Sequence, residues 1–173
     1  MNGTAARVAT LLLIAFVTAC GQQHPPRPPI SQQQAQDTVL GYLKKTLQAL
    51  PTGTVFDRAR YAGSGNKPCN DEPTGVPPNE FSDVRDAIFP PGTDPDAMVV
   101  KAGEIWQGWG WRVRERDAFG KPNRFGYAPD GYSLQIVAAR HKMNPPTITG
   151  VSPCFPGELV RDIRVPAVLK ADS

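Results

Sequence analysis

Residues 94–116 read DPDAMVVKAGEIWQGWGWRVRER, and their apolar period changes in the middle. Asp94 offers a side-chain cap and Pro95 a preset helical φ, and Asp96 sets a second acid against the positive end of the helix dipole. Met98, Val99, Ala102, Ile105, Trp106 and Trp109 then recur three and four residues apart, as one helix face does. Gly108 and Gly110 end the helix. From Trp111 the pattern alternates every second residue to Arg116, as a strand does. The spacing predicts a helix over 95–107 and a strand over 111–116. Elements with a single apolar face must bury it against another layer.

Toward the N-terminus the same logic gives a second helix. Ser31-Gln32-Gln33-Gln34 fits a capping box, and Ile30 is placed to staple against Ala35. Val39, Leu40, Leu43, Leu47 and Leu50 form one face, Lys44 and Lys45 lie opposite, and Pro51 stops the chain. Helix is expected over 32–49. Residues 54–63 (TVFDRARYAG) read as a first strand, followed by a loop through Ser64-Gly65-Asn66. Cys69-Asn70-Asp71 is a turn or a strand end. Phe81 to Phe89 alternates weakly and reads as a second strand, with a short helix as the alternative.

Toward the C-terminus, Gly120-Lys121-Pro122-Asn123 turns the chain and Arg124 to Ala128 begins the return strand. Pro129-Asp130-Gly131 is a tight turn or a bulge. Tyr132 to Ala139 is a long strand with Tyr132, Leu134, Ile136 and Ala138 on one face. Thr147 to Val151 is the last core strand and delivers Cys154. Residues 158–173 read as a loosely attached tail with an edge strand near Val160–Val165. Strands joined by short turns pair antiparallel. The expected fold is α+β: a two-layer domain, an antiparallel sheet of about five strands covered on one face by two helices, in the order αββαβββ.

The first 20 residues carry a separate message. Arg7 is a short basic region, Val8 to Phe16 is apolar and uncharged, and Val17-Thr18-Ala19-Cys20 places small residues before a cysteine. That order is a secretory signal peptide. The apolar run is shorter than the roughly 20 residues that span a bilayer. An ordinary cleaved signal fits the first two parts but has no use for Cys20. A lipobox, in which Cys20 becomes the lipidated first residue, uses every part, with Val17 where leucine is commoner. Gly21 to Pro29 reads GQQHPPRPP and favours extended polyproline II. As a tether it would hold a domain roughly 25–30 Å off the membrane at about 3.1 Å per residue. The expected organisation is leader 1–19, tether 20–30, domain 31–157 and tail 158–173.

The chain has three cysteines: Cys20, Cys69 and Cys154. With Cys20 lipidated, an even pair remains in an oxidising compartment and should form a disulfide. The alternative is two free or metal-binding thiols, but with no histidine nearby in the sequence a zinc site is not expected. Several features together resemble the small mycobacterial lipoproteins of the LppA and LppJ kind, over about residues 31–155. They are the lipobox, Cys69-Asn70-Asp71 after the first strand, the helix end at Gly110-Trp111, Asp130-Gly131-Tyr132 before a strand, and the late Cys154. The resemblance implies an envelope-exposed lipoprotein with a disulfide, and it carries over no catalytic residue.

Composition and motifs narrow the chemistry. Losing Arg7 with the leader takes the formal charge from +3 to +2, too little to argue for nucleic acid. The 19 prolines indicate a loop-rich fold. There is no nucleophile elbow, zinc-protease helix, P-loop or dinucleotide fingerprint. His24 sits in the tether and His141 follows a strand, neither near a nucleophile. Asp71, Glu72, Glu80 and Asp83 are acidic and match no calcium loop. Trp106, Trp109 and Trp111, with Phe119, Phe125, Tyr127 and Tyr132, are core or the lining of a binding surface. Arg112, Arg114 and Arg116 share one strand face and are a solvated face or a contact for an anionic surface or partner. Arg124 and Arg140 lie near the ends of the following strand segments, and the sequence leaves open whether they join that face. No cofactor or metal is expected. The expected function is a lipid-anchored cell-envelope lipoprotein, a non-catalytic binding domain held to the membrane through Cys20 and meeting an envelope protein or ligand. The alternative is a hydrolase of envelope polymers using the acidic residues.

Overall fold

Helix α1 runs Gln32–Gln48 and begins with the expected reciprocal cap. The Gln34 N–H donates to Ser31 Oγ at 3.1 Å, and the Ser31 N–H donates to Gln34 Oε1 at 2.8 Å. The computed structural model describes residues 29–61, 65–70, 78–141, 143–157 and 164–172. The leader, Cys20, nearly all of the tether, Asp71, Glu72 and the first part of the tail lie outside the described residues. Helix α2 runs Pro95–Gly108 with Asp94 as its cap, the Asp94 carboxylate accepting from the Asp96 N–H at 3.0 Å. It ends in a Schellman turn. Gly110, at φ 78°, donates to Gln107 O at 2.9 Å, and Trp111 N–H donates to Trp106 O at 3.1 Å. The hydrophobic contact that accompanies this turn is the stack of Trp106 on Trp111, ring centroids 6.4 Å apart.

Eight strands make one antiparallel sheet among the described residues: β1 Val55–Asp57, β2 Gly65–Pro68, β3 Asn79–Ile88, β4 Arg112–Arg114, β5 Asn123–Tyr127, β6 Ser133–Val137, β7 Thr147–Val151 and β8 Val168–Leu169. The path across it is β4-β5-β6-β7-β3-β1-β8, and β2 pairs with β3. The mixed α+β class and the antiparallel pairing match the expectation; the strand count exceeds the expected five. Three differences account for the excess. Gly65-Asn66-Lys67-Pro68, expected partly as loop, is a strand because it pairs with Pro68↔Asn79 through Gly65↔Ser82 of β3. Its sequence lacks alternation because it covers no core. Pro129–Gly131 is a hairpin turn, with Ala128 N–H donating to Tyr132 O at 2.9 Å, so one expected strand becomes β5 and β6. The tail contributes β8.

That tail is a correction to the reading of 158–173 as loosely attached. Leu169 is 1% exposed and Val165 7%. Phe56 pairs with Leu169 and Asp57 with Val168. Three expected strands are shorter than predicted, β6 (Ser133–Val137) by residues at both ends and two others for local reasons. The first stops at Asp57, whose carboxylate accepts from the Ala59 N–H at 2.8 Å and turns the chain. The fourth stops at Arg114 because buried Asn123 takes the backbone beyond it. Asn123 Oδ1 accepts from the Arg116 N–H at 2.8 Å, and its Nδ2 donates to the Arg116 and Lys121 carbonyls, each at 2.9 Å. Residues 81–88 are strand, the greater part of ten-residue β3 at the centre of the sheet, and Phe89 lies just past its end.

Both helices lie on one face of the sheet. Gly126, Leu134 and Gly150 sit side by side in register. A Cβ on Gly150 would meet Val39 of α1 at 2.6 Å, and one on Gly126 would meet Trp106 of α2 at 2.7 Å. The core between the layers holds Val39, Leu43, Leu47, Val99, Trp106, Phe56, Phe81, Leu134, Ile136 and Ile148. Tyr132, Leu134, Ile136 and Ala138 are all buried, as their alternation requires.

Candidate functional site

Strand alternation decides which side chains can meet. On β3, odd positions face the helices and even positions face away. The face away from the helices carries Ser82, Val84 and Asp86 of β3, Thr147, Thr149 and Val151 of β7, Ser133, Gln135 and Val137 of β6, and Phe125 and Tyr127 of β5. It is a hydroxyl- and amide-bearing surface with two rings at one side. At its other side the segment after β1 folds over it. Arg60 makes a bidentate pair with the carboxylate of Asp86. The Tyr61 hydroxyl lies 2.9 Å from Thr147 Oγ1 and 3.2 Å from Asp86 Oδ1. This Arg60–Tyr61–Asp86–Thr147 cluster was not foreseen. Asp86 stands in a strand whose helix face is itself charged, so alternation of polarity could not mark it.

The three arginines border the same face. Arg112 and Arg114 pair with Tyr127 and Phe125 across β4 and β5, opposite Val113. Arg112 lies over the Tyr127 ring at 4.9 Å and Arg116 over the Phe125 ring at 3.9 Å. Arg116 also donates to the Tyr127 hydroxyl at 3.3 Å. Arg124 does not join them. It faces the helices, bonds to Glu115 at 2.7 Å and lies against Gly103 of α2. Arg140 is exposed beyond the end of β6.

The aromatic surface needs correction. Trp106 is fully buried and Trp111 is 7% exposed. Trp106 sits between α2 and the sheet, its indole N–H donating to Thr46 Oγ1 at 3.0 Å. Trp109 is half-buried, edge-on to Trp111 at 5.5 Å with the Lys45 ammonium 4.2 Å above its ring. Tyr42, which the sequence reading left out of this group, completes it: edge-on to Trp111 at 4.8 Å and to Tyr132 at 5.8 Å. Its hydroxyl donates to Asp130 at 2.5 Å. Burial first, and the Asp130 carboxylate second, hold that hydroxyl protonated well above the ordinary tyrosine range. This assembly is core, joining α1, α2 and the β5–β6 turn.

Among the described residues the two candidate acids, Glu80 and Asp83, do not gather either. Glu80 faces away from the helices and pairs with Lys67 at 2.9 Å. Asp83 faces the helices, fully buried, and accepts from Arg85 at 2.7 Å. Arg85 is also fully buried and donates to the Phe56, Ala167 and Pro166 carbonyls. Three residues apart on a strand, Glu80 and Asp83 point to opposite faces and cannot form a catalytic pair. Asp71 and Glu72 lie outside the described residues, as does His24. His141 lines a surface cleft with Asp94, Asp96, Lys121 and Asn144 near the start of α2. Beside it, Ile88, Phe89, Met143, Pro145 and Pro146 form an apolar depression.

Cys69 and Cys154 are bonded, with Cα atoms 6.1 Å apart and a sequence separation of 85. Among the described residues no helix is long and apolar enough to cross a membrane. Neither the protein-family models, the curated proteins nor the solved structures yield a match to this chain.

Proposed function

We propose that this chain is a lipid-anchored cell-envelope lipoprotein of the small mycobacterial kind it resembles, and that its folded domain is a non-catalytic binding module. The observation that carries the reading is the Cys69–Cys154 bond. A disulfide supports an oxidising compartment. It also uses two of the three cysteines and leaves Cys20, at the end of an apolar leader, for the lipid. The likeness to that lipoprotein family rests on the sequence motifs alone.

The binding surface in this proposal is the sheet face opposite the helices. It mixes the hydroxyls of Ser82, Ser133, Thr147 and Thr149 and the Gln135 amide with Val84, Val137 and Val151, and has the Arg112, Arg114 and Arg116 border on one side and the Arg60–Asp86 pair on the other. Such a surface suits a partner with exposed hydrogen-bonding groups and acidic side chains. Of the four carboxylates of the hydrolase alternative, Glu80 and Asp83 point to opposite faces of β3, and Asp71 and Glu72 lie outside the described residues.

The anchor is tested by detergent phase partition of the chain expressed in a mycobacterial host. The wild type is expected in the detergent phase and Cys20→Ala in the aqueous phase, because two or more acyl chains are needed for stable attachment. Equal partition of both into the aqueous phase would end the lipoprotein reading. The surface is tested separately by crosslinking in intact cells. A partner captured by the wild type should be lost in the triple variant Arg112→Gln, Arg114→Gln, Arg116→Gln.

A further inference from the structure

We propose that the Cys69–Cys154 clasp is also a cation site. When the bond is reduced, the two thiolates and the Glu80 carboxylate form a three-ligand site for a soft divalent cation such as Zn2+. Disulfide and metal are then alternative closures of one clasp. This inference does not rest on the lipid-anchored reading.

The geometry comes first. The two sulfurs and one Glu80 carboxylate oxygen all lie within 4.8 Å of one another. Zinc binds sulfur at about 2.3 Å and carboxylate oxygen at about 2.0–2.2 Å, so ligand atoms on one tetrahedral ion stand roughly 3.3–3.8 Å apart. The three donors therefore need only small movements, and those movements are side-chain rotations. Cys154 is exposed, so water can complete the tetrahedron.

The scaffold comes second. Each cysteine is held in place by backbone bonds that do not involve sulfur. The Cys69 N–H donates to Pro78 O at 3.0 Å. Next to Cys154, Phe155 and Asn79 exchange both backbone bonds, at 2.7 and 3.0 Å, and Phe155 is 1% exposed. Glu80 follows in the same run of β3. Residues 78–80 thus position all three donors whether or not the sulfurs are joined. Lys67 now occupies the Glu80 carboxylate at 2.9 Å, but its side chain is 59% exposed and can release it to water.

The chemistry balances with a named reductant. A water-soluble phosphine cleaves the S–S bond by supplying two electrons, takes an oxygen atom from water to become a phosphine oxide, and leaves two thiols. The cation then displaces both thiol protons. A cation held by two thiolates and one carboxylate favours zinc over calcium or magnesium, which prefer all-oxygen shells.

The test uses the phosphine-reduced, soluble chain from residue 21 with Co2+ as the spectroscopic probe and Zn2+ as competitor. The reduced protein should bind one Co2+ with a thiolate-to-cobalt charge-transfer band and the visible bands of a tetrahedral site. The oxidised protein should show neither. Glu80→Gln should keep the charge-transfer band but weaken binding at least about tenfold, the low end of what even an outer-shell loss costs. The double variant Cys69→Ser, Cys154→Ser should lose the band. Circular dichroism of the reduced protein runs alongside. A reduced protein that is folded yet shows no charge-transfer band overturns the proposal. So does one that unfolds on reduction, because the backbone bonds would then not hold the donors. Unchanged affinity in Glu80→Gln removes the carboxylate and with it the three-ligand site.

Discussion

Two residues in the core carry more than packing. Arg85 is an always-charged group with no exposure, and it is tolerated because Asp83 and three backbone carbonyls accept hydrogen bonds from it. Arg85→Met leaves Asp83 buried without its cation, and the expected cost is about 3–5 kcal/mol in urea unfolding. The double variant Asp83→Leu, Arg85→Met should lose less than the single one, since no lone charge is then buried. Tyr42 gives a pH signature. Its folded-state titration lies above its unfolded value of about 10, so the fold favours the protonated form. Its contribution is fully present below about pH 10 and is lost as pH rises beyond it. Urea midpoints measured from about pH 8 to about pH 11 should fall at the alkaline end, less steeply in Tyr42→Phe. At this scale the sequence was least informative. Asp83 read as part of an acidic group because the cation two residues on, and the face they share, matter only inside a folded sheet.

The elements are a matter of close approach. Helix α2 meets the sheet at Gly126, where an added Cβ would strike the Trp106 ring at 2.7 Å and Trp111 at 3.2 Å. Both rings are buried and cannot step aside. Gly126→Ala should therefore cost about 1–3 kcal/mol, as overpacking does. Gly103, on the helix side of the same contact, meets Arg124 Cγ at 2.6 Å. Arg124 is a flexible side chain whose charged end reaches Glu115, so Gly103→Ala should cost clearly less. A thermal melt of the two variants ranks them. Both helices were readable from their caps and three-to-four spacing, because those signals are local. β2 was not, since its four residues are a strand only through pairing with β3.

At the level of the whole molecule, the described C-terminal segment, residues 164–172, is fastened rather than trailing. The chain from residue 164 crosses α1, whose Gln36 side chain donates to Arg164 O at 3.2 Å, and then pairs with β1. Truncation after residue 163 should destabilise the domain by more than Leu169→Ala, itself expected at about 2–5 kcal/mol. Truncation also strips Arg85 of the Pro166 and Ala167 carbonyls. Denaturant midpoints of the two variants decide this. Cys69→Ser should lower stability by about 2–5 kcal/mol, given the 85-residue span.

What the sequence determined by itself was whatever is written in neighbouring residues. It held the two helices with their caps, the buried face of β6, the cysteine pairing by arithmetic, and the α+β class. The tertiary structure alone decided which face each strand residue occupies. It moved Trp106 and Trp111 into the core and split Glu80 from Asp83. It drew Arg60, Tyr61, Asp86 and Thr147 together, placed Glu80 beside the two sulfurs, and bound the tail through Arg85. The physical reason is range. Caps and periodicity act within a few residues, whereas burial and tertiary pairing depend on groups brought together from as far as 128 residues apart.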